Sequence, residues 1–181
     1  NVNLKSVFIV LDTSGARDGD LSAATFMATV FIRDEISRSR TDKKAVFGDE
    51  LWIIAGNEGN EQAADFVIKL VKTIRGYGGI FVSATQNATD YFALGSGRFG
   101  DAVLNNSRLK LLLQMEEPEA VKLKEKIGLT DEEVMQIIRC GRGQGLLCAG
   151  KNRIAVEIRS TKTEYELITT DREALGKRAK K

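Results

Sequence analysis

The sequence contains no histidine, one proline and only two cysteines, Cys140 and Cys148, among its 181 residues. Without histidine, a Ser–His–Asp triad and zinc sites built on imidazole are excluded. Two cysteines do not make a disulfide framework, and they indicate inert core thiols in a reducing compartment. No apolar run reaches the roughly 18–20 residues of a membrane span, and no signal-peptide pattern opens the chain. The chemistry of this chain therefore rests on carboxylate, amide and guanidinium groups.

A phosphate-binding loop of the form GxxxxGK(S/T) is also missing, although the sequence contains the motif that usually accompanies one. In AVFGDELW (45–52) an apolar run ends in the adjacent acids Asp49 and Glu50. In nucleotide hydrolases, one acid at such a strand end holds Mg²⁺, usually through water, and the other polarises the attacking water. A single match of this kind is weak, and alone it favours a strand that simply ends in two solvated charges.

Length and composition indicate one soluble globular domain. Hydrophobic residues make up 43% and charged residues 29%, and the net charge of +2 selects no class of partner. We predict a single domain over 1–175, followed by a solvated basic tail, GKRAKK, over 176–181. Because the chain starts without methionine, almost directly in a strand pattern, we expect it to be a fragment of something longer.

Strand patterns alternate with helix patterns along the chain, which predicts a mostly parallel sheet covered by helices on both faces. The predicted strands are SVFIVLD (6–12), AVFGDELW (45–52), IFVSAT (80–85) and RLKLLLQ (108–114), with a closing hairpin of QGLLCAG (144–150) and RIAVEIR (153–159). The predicted helices are LSAATFMATVFIRDEI (21–36), EQAADFVIKLVKTIR (61–75), EPEAVKLKEKIG (117–128), DEEVMQIIR (131–139) and TKTEYELIT (161–169).

Polar residues stand at the carboxyl ends of three predicted strands, where ligands of such sheets bind. They are Asp12, the pair Asp49 and Glu50, and Gln86, which directly follows IFVSAT. A glutamine in this position can sense a γ-phosphate or hold the attacking water. The alternative is a turn residue that hydrogen-bonds its own backbone.

Arginines and a glycine-rich turn supply further candidates. Arg17, Arg98, Arg108 and Arg142 could each serve as an arginine finger, because a guanidinium suits transition-state charge, although each alone is more simply a surface residue. The stretch GRGQGLL (141–147) leads from helix to strand, so no helix N-terminus would face a phosphate and we reject it as a Walker loop. We predict a turn there, and keep Arg142 and Gln144 as candidate nucleotide contacts.

Taken in order, the segments resemble the C-terminal RecA-like ATPase domain of the type IV secretion and conjugation ATPases (the VirB-four, TraC/TraE-type family). IVLDTSGARDGDLSAATFM resembles the segment between that family's Walker motifs, AVFGDELW its Walker B with Leu51 replacing the usual alanine, and IFVSATQNATDYF its sensor strand. DAVLNNSRLKLLLQ, IGLTDEEVMQI, GRGQGLLCAGKNR and EYELITTD resemble the remaining C-terminal run. The likeness covers 4–172, and an ordered series is more specific than any single motif.

The resemblance implies a RecA-like three-layer α/β sandwich of the P-loop NTPase class with a C-terminal β-hairpin, and Mg²⁺-dependent hydrolysis of ATP. By position it makes Asp49 the Mg²⁺-linked acid, Glu50 the catalytic base and Gln86 the sensor. It implies a ring oligomer, a hexamer, working with other type IV secretion components and with DNA as a further partner. The location it implies is cytoplasmic, peripheral to the inner face of the membrane.

The resemblance fails at the Walker A strand and loop, which we expect to lie before residue 1. In RecA-like sheets that strand lies between the sensor strand and the next one, so the fold would be incomplete between IFVSAT and RLKLLLQ. Those strands then either close up or leave a slot for another segment. We expect the isolated chain neither to bind ATP tightly nor to hydrolyse it. Two alternatives stay open: another RecA-like DNA translocase or coupling-protein ATPase, and a non-catalytic RecA-like scaffold.

Overall fold

The structure is a computed structural model, and it describes residues 6–12, 15, 18–50, 61–93, 97–172 and 176. Its residues group into two compact units, the first made of Asn1–Arg108 with Val121–Gly128 and the second of Leu109–Ala120 with Leu129–Lys181. The single domain of 1–175 stays a prediction. Most of the predicted basic tail lies outside the described residues.

Helices and strands follow the predicted order along most of the chain, and the predicted α/β class is confirmed. The helices are α1 (Asp18–Ser37), α2 (Glu61–Thr73), α3 (Ala88–Ala93), α4 (Arg98–Asn106), α5 (Glu117–Ile127), α6 (Asp131–Arg139) and α7 (Lys162–Ile168). The strands are β1 (Lys44–Asp49), β2 (Gly79–Ala84), β3 (Leu109–Leu113), β4 (Gln144–Ala149) and β5 (Asn152–Glu157). No helix of the described part of the chain is long and apolar enough to cross a membrane.

The first unit is built on β1 and β2, which run parallel with Lys44 opposite Gly79 and Asp49 opposite Ala84. Parallel neighbours need a crossover connection, and α2 lies within it. A single 3₁₀ turn extends α2, and Gly78 then reverses the chain with a φ of 72°. Because the two strands are parallel and in register, both of their carboxyl ends lie at one edge of the sheet.

Among the described residues, the core of the first unit includes two apolar clusters that share α2. Val67 of α2 packs with Tyr91, Phe99 and Val103, and the rings of Tyr91 and Phe99 lie 5.5 Å apart between centroids. On the next turns of α2, Leu70 packs with Ile36 of α1 and with Ile74. The apolar residues of α2 recur at helical spacing, which is why the sequence predicted this helix.

The second unit is an antiparallel sheet in the order β3-β4-β5. The predicted hairpin is present, with Ala149 of β4 opposite Asn152 of β5. Glu133 completes a capping box with Thr130 at the start of α6. Its Oε1 also lies 3.5 Å from Nε of Arg153 in β5, in a largely buried ion pair. One carboxylate therefore both caps α6 and fixes that helix to the sheet.

Two features differ from the sequence prediction. SVFIVLD (6–12) is not a strand, and most of its apolar side chains are exposed, with Phe8 77% and Val10 70% accessible. Its first residues bond locally, since Ser6 Oγ donates to the Phe8 carbonyl at 2.6 Å and accepts from the Phe8 N–H at 3.3 Å. Such local bonds compete with a ladder.

The second difference concerns the sheet. Parallel pairing in the described residues is confined to β1 and β2, whereas β3 pairs antiparallel with β4. The strands β2 and β3 belong to different sheets of the described residues. The sequence could not show this, because an apolar run such as LKLLL has no feature that fixes the direction of its partner.

Gly145 provides a test of the antiparallel packing. A Cβ on this residue would lie 2.5 Å from the carbonyl oxygen of Leu112, a backbone atom fixed by the β3–β4 ladder. We expect Gly145→Ala to lower the free energy of unfolding by about 1–3 kcal/mol, measured by urea denaturation.

Gly141→Ala is the matched control in the same unit. Its Cβ would meet only the flexible side chain of Gln144, at 3.4 Å, so we expect a change within about 0.5 kcal/mol. Equal stability of the two variants would show that β4 does not approach β3 as described.

Candidate nucleotide-hydrolysis site

The site begins where β1 ends and the backbone turns at Glu50. Glu50 has a φ of 48°, the left-handed region, and no other non-glycine residue of the described chain has a positive φ. Its N–H donates to the carbonyl of Ala84, the last residue of β2, at 3.1 Å. A left-handed non-glycine residue costs about 1–2 kcal/mol, so the neighbouring strand end must hold this turn in place.

The carboxylate of Glu50 is fixed to the end of β2. Its Oε1 accepts a hydrogen bond from the backbone N–H of Gln86 at 3.1 Å. Its Oε2 accepts from the hydroxyl of Thr85 at 3.3 Å. Bonds to an ionised acceptor are among the stronger ones in proteins, and together these two orient the carboxylate.

The structure therefore brings Glu50 and Gln86 together, but through the backbone of Gln86. The side chain of Gln86 is exposed. Asp49 is also exposed, opposite Ala84 at the same edge of the sheet. Asp12, the other predicted strand-end acid, is exposed on a segment that forms no strand.

The turn after β2 is tied by its own side chains. Oγ1 of Thr85 accepts from the N–H of Asn87 at 3.2 Å. Oδ1 of Asn87 accepts from the N–H of Thr89 at 3.0 Å, at the start of α3. Small polar residues favour such turns because they satisfy nearby backbone groups. Thr85 was not among the predicted site residues, although a threonine at the end of a strand is a recognisable turn signal.

Tyr91 is a second residue that the sequence analysis missed. It is buried, and its hydroxyl donates to the carbonyl of Ala84 at 3.3 Å. Burial raises the pKa of Tyr91, a hydrogen bond with Ser83 lowers it, and the charges of Glu50 and Asp49 raise it further. Tyr91 thus joins the acidic end of the sheet to the core, and the available signal in the sequence was an aromatic residue a few positions after β2.

The donor set fits a magnesium ion. Mg²⁺ keeps several waters and binds one or two carboxylates together with substrate phosphates, rather than a cage of protein ligands. Asp49 offers an exposed carboxylate at the strand end, whereas the oxygens of Glu50 accept from Thr85 and Gln86. Within the described ranges, no group of three or more acidic, cysteine or histidine side chains could hold a metal by itself.

The predicted arginine fingers Arg98 and Arg108 are exposed in the described residues. Arg98 Nη2 lies 3.9 Å from Oδ1 of Asp65 on α2, and both side chains are largely exposed. Such a pair contributes little to stability and leaves the arginine free to move. Arg108 is exposed between α4 and β3. Arg17 lies outside the described residues.

The GRGQ turn of the second unit is closed upon itself. Gln144 Oε1 accepts from the N–H of Gly141 at 2.9 Å, and Arg142 is exposed. Gly143 has a φ of 79° and accepts from the N–H of Ile158 at 2.7 Å, where a Cβ would lie 2.8 Å from the Ile158 carbonyl oxygen. The glycine therefore permits a close backbone approach, which agrees with the predicted turn.

The comparisons with known proteins agree with this architecture. The family model of the TraG P-loop domain matches residues 2–166, so the chain belongs to the TraG P-loop domain family. The predicted kinship with type IV secretion and conjugation ATPases, and with their RecA-like fold, is confirmed.

Among solved structures, the chain is similar to VirB4 of Thermoanaerobacter pseudethanolicus, with 29% identity and a TM-score of 0.73. The match covers 84% of this chain and 41% of that one, so this chain spans less than half of the length of its structural relative. No curated protein matches.

Tyr91→Phe tests the link between the site and the core. The folded state raises the pKa of Tyr91 above its ordinary value of 10.0, so the stabilisation is complete below that pH and is lost as pH rises through the folded pKa. We expect the variant to be less stable by about 1 kcal/mol at neutral pH, because a hydrogen bond is lost.

The difference between wild type and Tyr91→Phe should narrow above about pH 10, since only the wild type can ionise there. Urea denaturation at neutral and alkaline pH measures it. Tyr165→Phe, at an exposed position of α7, is the control and should be close to wild type at both pH values. A constant deficit of Tyr91→Phe across the pH range would contradict the burial of the Tyr91 phenol.

Proposed function

We propose that this chain supplies the Walker B and sensor half of an ATP-hydrolysing motor that powers conjugative transfer through a type IV secretion system. The observation that supports it most directly is the Glu50 carboxylate, held at the ends of two parallel strands by Thr85 and Gln86. Membership of the TraG P-loop family adds to this, because P-loop NTPases in general use a nucleotide and Mg²⁺.

In the proposed reaction, Asp49 would hold Mg²⁺ through water, and the ion, when bound, would supply positive charge beside the phosphates. Glu50 orients and polarises the attacking water. The water oxygen bonds to the γ-phosphorus while the bond to the β–γ bridging oxygen breaks, and that electron pair leaves on ADP. The water proton passes to the Glu50 carboxylate. The exposed side chain of Gln86, next to Glu50 along the sheet edge, senses the γ-phosphate.

We propose that the phosphate-binding loop comes from residues outside these 181, since the sequence contains no GxxxxGK(S/T). The structural match supports this, since the chain corresponds to less than half of the VirB4 chain. We propose that the remainder of the site lies in that additional length.

The assembly is a proposal as well. We propose a ring oligomer, a hexamer, that acts with other type IV secretion components and with DNA at the cytoplasmic side of the membrane. Arg17, Arg98 and Arg108 are the proposed sources of an arginine finger. Arg142 and Gln144 are proposed to reach the nucleotide of a completed site.

Glu50→Gln tests the role of the base. In the longer ATPase that the proposal requires, we expect kcat to fall by about 10²–10⁴-fold, because glutamine cannot accept the water proton. The affinity for ATP should stay within about threefold, since the amide keeps the size of the carboxylate and its oxygen can still accept from the N–H of Gln86.

Glu166→Gln is the matched control, because Glu166 is an exposed residue of α7. It should leave kcat unchanged. Full turnover in Glu50→Gln would remove Glu50 as the base.

The isolated 181-residue chain gives a second test. We expect no heat of ATP binding in calorimetry at millimolar Mg²⁺–ATP, and no phosphate release, because the loop that holds the triphosphate is missing. Robust Mg²⁺-dependent hydrolysis by this chain alone would contradict the division of the site.

A further inference from the structure

We propose that Thr85 is a positioning residue that holds the carboxylate of Glu50 and releases it by turning its hydroxyl. The inference rests on the proposed function, since it assigns a role to Thr85 in that reaction. Thr85 contacts neither the nucleotide nor the attacking water in this proposal. It acts through Glu50.

The hydroxyl of Thr85 has two acceptors within reach. Oε2 of Glu50 lies 3.3 Å from Oγ1, and the carbonyl oxygen of Asn87 lies 3.1 Å from it. A hydroxyl carries one proton, so it donates to only one of them at a time. The site therefore has two hydrogen-bonded arrangements that differ by rotation about the Cβ–Oγ1 bond.

The heavy atoms need not move between the two arrangements. Oγ1 of Thr85 also accepts from the N–H of Asn87 at 3.2 Å, which fixes the oxygen in both. The turn is held further along as well, because Lys122 Nζ of α5 donates to Oγ1 of Thr89 at 3.4 Å. The hydroxyl proton of Thr85 therefore moves between two acceptors, while hydrogen bonds hold the heavy atoms of the turn in place.

The two oxygens of Glu50 have different donors, which assigns them different roles. Oε1 accepts from the backbone N–H of Gln86, a donor that cannot rotate away. Oε2 accepts from the hydroxyl of Thr85, a donor that can rotate away. With the hydroxyl on Oε2, the carboxylate is oriented before the reaction. With the hydroxyl turned to Asn87, the hydrogen bond from Thr85 no longer opposes transfer of the water proton to Oε2.

The test uses Thr85→Val, which keeps the shape and removes the hydroxyl, and Thr85→Ser, which keeps the hydroxyl. Both are made in the longer ATPase, next to Glu50→Gln. We expect Thr85→Val to lower kcat by about tenfold, the equivalent of one hydrogen bond that orients the base. KM for ATP should stay within about twofold, and Thr85→Ser should recover kcat to within about threefold of wild type.

Thr73→Val is the matched control. The hydroxyl of Thr73 donates to the Lys69 carbonyl at 2.8 Å at the end of α2, so its loss should leave kcat unchanged. Thr85→Ala replaces Thr85→Val if the valine variant does not fold, which thermal unfolding shows.

Wild-type kcat in Thr85→Val, or an equal loss in Thr85→Ser, would overturn the proposal for Thr85. So would a change in KM alone. Full turnover in Glu50→Gln would instead overturn the proposed function, and with it the role of Thr85. The two failures are therefore distinguishable in one set of measurements.

Discussion

The reversal of the chain at Glu50 is the constraint on which the rest of the site depends. An acidic residue in the left-handed region is unfavourable by itself, and here the cost is offset by bonds to the neighbouring strand end. The N–H of Glu50 is held by Ala84 and its carboxylate by Thr85 and Gln86. Tyr91 bonds to the same carbonyl of Ala84 from the core side. The acidic edge of the sheet is thereby fixed to the apolar cluster beneath it, so the Glu50 carboxylate obtains its orientation from the fold.

Much of the fold could be predicted because its signals are local. The helical spacing of apolar residues predicts α2, and a threonine three residues before a glutamate, as at Thr130 and Glu133, is typical of a helix start such as that of α6. Pairing between strands depends on residues far apart in the sequence, and here the prediction was wrong in detail. SVFIVLD has the composition of a buried strand, yet it pairs with none of the described strands and is exposed. LKLLL is a strand, but its antiparallel partner follows more than thirty residues later, across two helices.

The site was predicted in part, from the order of the strands along the chain. Parallel strands in register place their carboxyl ends side by side, so the neighbourhood of Glu50 and Gln86 followed from the order of the elements. The left-handed turn could not be predicted, because glutamate rarely adopts that region and position 50 carries neither glycine nor asparagine, the residues that favour it. The hydrogen bond from Thr85 to the Glu50 carboxylate depends on that turn, so it was not predicted either. The roles of Asp49, Glu50 and Gln86 remain proposals that the geometry supports.

The central claim is that the ends of β1 and β2 form the acidic half of a nucleotide site which a phosphate loop from outside this chain completes. A crystal structure of the longer protein with Mg²⁺ and a non-hydrolysable ATP analogue tests it most directly. We expect the γ-phosphate to lie at this sheet edge, with one water between it and the Glu50 carboxylate. We expect Asp49 to contact the ion through water. A nucleotide bound elsewhere, with Glu50 still turned onto Thr85 and Gln86 and no phosphate near it, would contradict the account.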